Sequence, residues 1–401
     1  MWRERYDVVL HGEDAETAPA TFDALAFIER TVAQVRAGAL GRVDGVASSS
    51  DYPGCIVAAA IARELGLPGP NPQSVLRCSH KYYSRLAQQA AAPEATPRFA
   101  LVDPQRLDPR AFDLPFPVFV KPVKGWFTQH ARRIDTFADL AAFAASPEVR
   151  YHLTEFVAPF NHLLARYTDF AHDGSYLLAE ELLGGVQVTV EGFVFGGEVE
   201  ILGIIDSVMF PGTISFQRFD YPSALPEAVQ ERMAGIARRV MPRLGFDTGL
   251  FNVELFYDAA ADRVSIIEVN PRMCGQFADL LESVNGTNTY EILFALAAGE
   301  RPPPVRRGGR YQVAASFPLR AFGDQTVLRV PDARDVAAVK QAYPVTLVKT
   351  YYRAGQRLAD EDQSDGYSYR YAVVNLGARD RPSLLADFAA VQQRLGFRFA
   401  D

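Results

Sequence analysis

Glu268-Val269-Asn270-Pro271-Arg272 closes an apolar run, Val264-Ser265-Ile266-Ile267, that reads as a buried strand. Residues two apart on a strand share a face, so Glu268, Asn270 and Arg272 point the same way. Two oxygen donors beside a fixed cation suit a magnesium-bound phosphate: the oxygens take the metal and the guanidinium takes the anion. Upstream, Phe251 to Asp258 (F-N-V-E-L-F-Y-D) alternates apolar and polar, and Ala259 to Arg263 reads as a turn. Pairing Asp258 with Val264 in an antiparallel hairpin and counting back sets Glu254 opposite Glu268. Like charges facing each other destabilise a ladder, and a divalent cation between them removes the penalty.

The rest of the composition narrows the class. At 401 residues, with 48% hydrophobic and 22% charged content, the chain has material for two or three globular domains. A net charge of -7 argues against a nucleic-acid binder. Charge or proline interrupts every long apolar stretch, so no membrane span is expected. Met1-Trp2-Arg3-Glu4-Arg5 is charged with no apolar signal core behind it. The three cysteines, Cys55, Cys78 and Cys274, form no C-x-x-C pair, which points to a reduced, cytoplasmic setting. The six histidines show no zinc-ligand spacing.

Along the chain, Tyr6 to His11 and Asp44 to Ser50 read as strands, and Phe22 to Arg36 and Cys55 to Leu65 as helices. Such alternation signals a parallel α/β layer. Its second loop, with Asp51 and Tyr52, is where such layers bind ligands. One helix is expected from Ser74 to Ala91 and another from Phe137 to Ala145, started by Asp135-Thr136. Phe116 to Pro122 reads as a strand ending in Lys121, and Tyr176 to Leu183 as a strand holding Glu180 and Glu181. Val186 to Phe195 and Val199 to Ile205 form a hairpin about Gly196-Gly197. Helices follow at Glu227 to Leu244 and Tyr290 to Ala298, and Arg301-Pro302-Pro303-Pro304 begins a linker. Beyond it come three β-like runs, Tyr311 to Leu319, Val345 to Tyr352 and Tyr369 to Leu376, and a helix near Ser383 to Leu395.

In chain order the polar outliers are Lys81, Lys121, Glu180 with Glu181, Glu254, Glu268, Asn270 and Arg272. Lysines followed by acids suit a nucleoside triphosphate held by cations on one side and magnesium on the other. Neither a G-x-x-x-x-G-K-[ST] loop nor the protein-kinase motifs occur. From about Ser74 to Gly299 the chain resembles the ATP-grasp superfamily of carboxylate–amine ligases, through E-V-N-P-R and the upstream acid of F-N-V-E-L. The resemblance implies an α/β (α+β) fold: a Rossmann-like α/β domain over 1–73, a two-lobed ATP-grasp domain over 74–300 (small lobe about 110–185), and a small C-terminal α+β domain over 301–401. It also implies roles. Lys81 and Lys121 would hold ATP phosphates, with Lys121 also at the adenine edge. Glu180, Glu181 and Leu183 would read the adenine from the connecting segment. Glu254, Glu268 and Asn270 would bind Mg2+, with Mn2+ a possible substitute, and Arg272 would steady the transferred phosphate.

Two departures stand out. The glycine-rich loop usual after the second lysine is replaced by Pro122-Val123-Lys124-Gly125-Trp126-Phe127-Thr128-Gln129-His130, with one glycine and two bulky aromatics. Gln187 stands where a ribose-binding glutamate is usual; an amide still hydrogen-bonds a hydroxyl, without charge assistance. The implied reaction activates a carboxylate, of an amino acid or peptide, as an acyl phosphate and joins it to an amine. Gln276, Arg218 and Asp206 are candidates for the acyl pocket. Biotin-carboxylase-like activation of bicarbonate is one alternative, and a non-catalytic ATP-binding sensor is another. The expected partners are small-molecule carboxylate and amine substrates, with no nucleic acid and no membrane. A homodimer suits an enzyme of this size.

Overall fold

The computed structural model describes residues 5–12, 22–125, 130–305, 308–343 and 346–400. Four helices come first: α1 (Ala24–Arg36), α2 (Gly54–Leu65), α3 (Pro72–Ser79) and α4 (Lys81–Ala91). Asp23 caps α1 by accepting from the Ala26 N–H, Asn71 caps α3 by accepting from that of Gln73, and left-handed Gly66 closes α2.

Two expectations fail in this region. Tyr6 to His11 and Asp44 to Ser50 join no ladder among the described residues, so the Rossmann-like parallel layer is not formed there. An extended run needs a neighbour for its backbone groups. Here Val9 and Leu10 are 67% and 92% exposed instead. The region's apolar residues come from the helices: Phe27, Ile28, Ile56 and Ile61 share a core with Val75, Leu76 and Phe160. Second, the helix expected from Ser74 to Ala91 is broken at His80, whose backbone is extended (φ -90°, ψ 98°). The buried His80 ring is held 2.9 Å from the Asp173 carbonyl. The break makes Lys81 the first residue of α4, where its N–H donates to the Val123 carbonyl at 2.9 Å.

The small lobe follows: β1 (Phe99–Val102), β2 (Val118–Pro122), β3 (Arg132–Ile134), α5 (Phe137–Ala145), α6 (Pro147–Tyr151), α7 (Ala158–Tyr167) and β4 (Leu177–Glu181). Its sheet is antiparallel with order β1-β4-β2-β3. Val118, Val120, Leu140, Phe143 and Ala179 fill its core. Thr136 caps α5 through the Asp139 N–H, as the sequence suggests.

The large sheet is built from β5 (Val186–Phe195), β6 (Glu198–Met209), β7 (Phe216–Tyr221), β8 (Gly249–Asp258), β9 (Arg263–Asn270), β10 (Val313–Ala321), β12 (Leu347–Thr350) and β13 (Tyr369–Ala378). Its order is β12-β13-β10-β7-β6-β5-β8-β9, and β11 (Thr326–Arg329) pairs separately with β14 (Arg398–Ala400). The accompanying helices are α8 (Glu227–Arg243), α9 (Ala278–Asn285), α10 (Thr289–Ala297), α11 (Ala333–Ala342) and α12 (Arg381–Leu395). Gly196 and Gly197, at φ 57° and 85°, make the β5–β6 turn. Beyond the proline run only β11 and β14 pair apart; β10 pairs with β7, Ala314 opposite Tyr221, and with β12 and β13 extends the large sheet. No helix among the described residues is long and apolar enough to cross a membrane.

Candidate active site

The β8–β9 hairpin closes one residue tighter than its sequence suggests. Asp258 pairs with Arg263 and Tyr257 with Val264. Continued unbroken, that register would set Glu254 against Ile267. A bulge leaves Ile267 without a partner, so Glu254 faces Glu268 and Asn252 faces Asn270 after all. The Ile267 carbonyl instead accepts from Arg85 Nη2 at 2.7 Å. On the other side of β8, strand β5 sets Thr189 beside Glu254 and Glu191 beside Asn252.

Two amides hold Glu254: Gln187 Nε2 donates to one oxygen at 3.1 Å and Asn270 Nδ2 to the other at 3.2 Å. Gln187 therefore lies against the acid pair. Burial raises the Glu254 carboxyl and the Glu268 charge raises it further. At Glu268 burial is outweighed by Lys81 and Lys121, which hold it low. No three His, Cys, Asp or Glu residues converge among the described residues. The oxygen set on offer is two carboxylates and the Asn270 amide, which suits a hard divalent cation.

Cations approach from the helices and the small lobe. Lys81 Nζ lies 3.5 Å from Glu268 and donates to the Gly125 carbonyl at 3.0 Å. Lys121 Nζ is 2.8 Å from Glu180 Oε2, and Arg85 Nε donates to Glu180 Oε1 at 2.5 Å. Burial would raise the Glu180 carboxyl, but Arg85 and Lys121 bring it down to about 2. Glu181 points the other way along β4, toward Arg98 at 3.3 Å and Arg263 at 2.5 Å. Its side chain is therefore turned away from Lys121. Leu183 lies half-buried in the Leu182–Gly185 link between the two sheets.

Arg272 donates from Nε and Nη2 to a single oxygen of Asp51, at 3.0 and 2.8 Å. The α1–α2 loop thus reaches the site. Burial alone would raise the Asp51 carboxyl; Arg272, then Lys124 and Lys81, lower it to about 2. Of the acyl-pocket candidates, Gln276 lies over the sheet and donates to Ser316 Oγ at 2.9 Å. Asp206 and Arg218 are excluded from that face. Asp206 pairs across the ladder with Asp220 on the side of Val188, opposite to that of Thr189 and Glu254. It accepts from the Ala224 N–H at 2.7 Å, and Arg218 is bound to Asp220 at 3.0 Å. Trp126 to Gln129, within the stretch that replaces the glycine-rich loop, lie outside the described residues.

Sequence reading passes over three groups here: Arg85, Glu191 and Lys124. Arg85 follows Lys81 by four residues, a spacing that sets both on one helix face. Glu191 is an acid inside the apolar strand V-T-V-E-G-F, a legible anomaly. It is fully buried beside Asn252 and the Cys274 backbone, yet neither carboxylate oxygen completes a hydrogen bond. Burial pushes it up to about 8.

Two antiparallel sheets thus meet at lysines and facing acids. Residues 114–279 match the family model of the ATP-grasp domain. An uncharacterised protein, y4rH, of Sinorhizobium fredii is 25% identical over 373 residues, covering 89% of this chain and 72% of its own. The fold is similar to that of an L-amino acid ligase from Bacillus licheniformis (TM-score 0.71, 19% identity), over 96% of this chain and 86% of that one. It also resembles the biotin carboxylase domain of the Hydrogenobacter thermophilus 2-oxoglutarate carboxylase, solved with MgADP and bicarbonate. That TM-score is 0.64 at 14% identity, over 93% and 78% of the two chains.

Proposed function

We propose that this protein is an ATP-dependent ligase that activates a carboxylate, of an amino acid or short peptide, and joins it to an amine. The observation that carries the reading is the Glu254–Glu268 pair, half-buried and facing, with Asn270 beside it and Lys81 3.5 Å from Glu268. Like charges facing across a ladder are destabilising, and an inert scaffold has no use for them. The likeness to an amino acid ligase over nearly the whole chain supports the substrate class.

A bound magnesium ion, held by Glu254, Glu268 and Asn270, would neutralise phosphate charge. Lys81 and Lys121 would hold the phosphates from the helical and small-lobe sides. A substrate carboxylate oxygen attacks the γ-phosphorus as the bond to the bridging oxygen of ADP breaks. Arg272 steadies the transferred group by charge and position. The amine nitrogen then bonds to the acyl carbon as phosphate leaves. No covalent enzyme nucleophile is needed.

The test is ADP release with amino acids offered singly and in pairs, with and without hydroxylamine. Carboxylate-dependent ADP with hydroxamate formation is the expected result, lost by orders of magnitude in Arg272→Ala. ADP release that depends on bicarbonate and ignores amines would instead make the protein a carboxylase. ATP binding without turnover under any of these conditions would make it a sensor.

A further inference from the structure

Asn252 lies two residues before Glu254 on β8 and shares its face. It is 1% exposed, and in the ladder it stands between Glu191 on β5 and Asn270 on β9. A side-chain amide buried this deeply needs a partner at each end. Asn252 has both. Its Oδ1 accepts from Asn270 Nδ2 at 2.9 Å, and its Nδ2 donates to the Arg272 carbonyl at 3.4 Å. One side chain thus ties the amide proposed to bind magnesium to the backbone of the arginine proposed to steady the phosphate.

The direction of the first bond matters. The two ends of an asparagine amide have the same shape and opposite polarity, and a hard cation accepts only the oxygen end. The Asn270 amide makes two hydrogen bonds among the described residues, and both use Nδ2: one to Asn252 Oδ1, the other to Glu254 Oε1 at 3.2 Å. Its Oδ1 is left as the ligand atom. Glu254 would share its oxygens with the cation, whereas Asn252 keeps its acceptor for Asn270. Turning the Asn270 amide over would set two oxygens, its own and that of Asn252, against each other in a buried site.

We infer that Asn252 is a positioning residue for the metal site: it locks the Asn270 amide with its oxygen toward the cation and its nitrogen toward the ladder. Asn252 itself binds neither metal nor nucleotide. The inference rests on the metal-dependent reading above.

The test is calorimetric and reads no turnover. ADP is titrated with magnesium present and, separately, with EDTA in its place; the ratio of the two affinities is the metal's contribution. It is measured for wild type, Asn252→Leu, Asn270→Asp and the double variant. Leucine matches asparagine in shape and removes both hydrogen bonds; Asn252→Ala is the second variant should leucine disturb the fold. In the Asn270→Asp background either end of the side chain is an oxygen, so nothing has to hold it the right way round. The expected result is a ratio that falls about 10- to 100-fold in Asn252→Leu and is unmoved by the same substitution in the Asn270→Asp background. An unchanged ratio in Asn252→Leu, or a fall in both backgrounds, overturns the inference and leaves the proposed function standing. A ratio already lost in Asn270→Asp alone overturns it too, since an oxygen at that position would not then be the ligand. A wild type that binds no ADP, or binds it equally with and without magnesium, overturns the metal reading and the inference together.

Discussion

Glu254 is a residue whose environment suits a ligand better than it suits the empty fold. It faces Glu268 across the half-buried β8–β9 ladder, and the amides of Gln187 and Asn270 donate to its two oxygens. Replacing it should therefore stabilise the ligand-free protein. We expect Glu254→Gln to unfold at higher denaturant concentration, by about 1 kcal/mol or more, because a neutral partner no longer repels Glu268. The same variant should lose the protection that magnesium and ATP give in thermal unfolding. A destabilised Glu254→Gln that still gains protection would mean that the pair serves the fold. These acids are legible because apolar strands rarely end in them. Lys121 is legible for the same reason. Arg85 is not, since an arginine on a helix is ordinary and two of its partners, Glu180 and the Ile267 carbonyl, come from separate sheets.

At the scale of elements, α4 is the bolt between the lobes. Lys81 and Arg85 reach from one helix face to the large sheet and to β4. The Glu180 carboxyl that Arg85 and Lys121 enclose is lowered from 4.5 to about 2. A lowered carboxyl stabilises the fold fully above its ordinary value, and that contribution fades as the pH falls from there to about 2. Glu180→Gln should cost about 3–5 kcal/mol at neutral pH, since Arg85 and Lys121 stay buried without their partner. Urea unfolding at pH 7 and near pH 3 should show the gap from wild type narrowing in acid; a gap independent of pH would exclude this origin. Local pattern gives the amphipathic helices and the β5–β6 and β8–β9 hairpins, because period and turn chemistry are local. It does not give the break at His80, which a distant carbonyl holds, or the bulge at Ile267, which has no signature residue. Tyr6 to His11 has a strand's pattern but no neighbouring strand, and pairing is not a local property.

Over the whole molecule, the proline run at 302–304 looks like a boundary in the sequence, yet the large sheet passes across it. Removing everything beyond Pro304 would bare the edge of β7 and take Ala314 out of the core shared with Phe219 and Phe277. A 1–304 fragment should lack a cooperative thermal transition and self-associate on gel filtration. A monomeric fragment as stable as the full chain would show that the later strands are an appendage. The small lobe is attached quite differently. Its chain enters at β1 and leaves at β4, and these strands are antiparallel neighbours with Phe99 opposite Glu180. Both crossings therefore lie at one edge, with Gly185 so tight against the Tyr257 carbonyl that any side chain there would collide. A swing about that edge breaks no rung of either sheet, but it has to shift Phe160 of α7 within the helical core and stretch the Lys81–Gly125 hydrogen bond. Lys121, bonded to Glu180 beside that edge, would travel little, and β3 furthest.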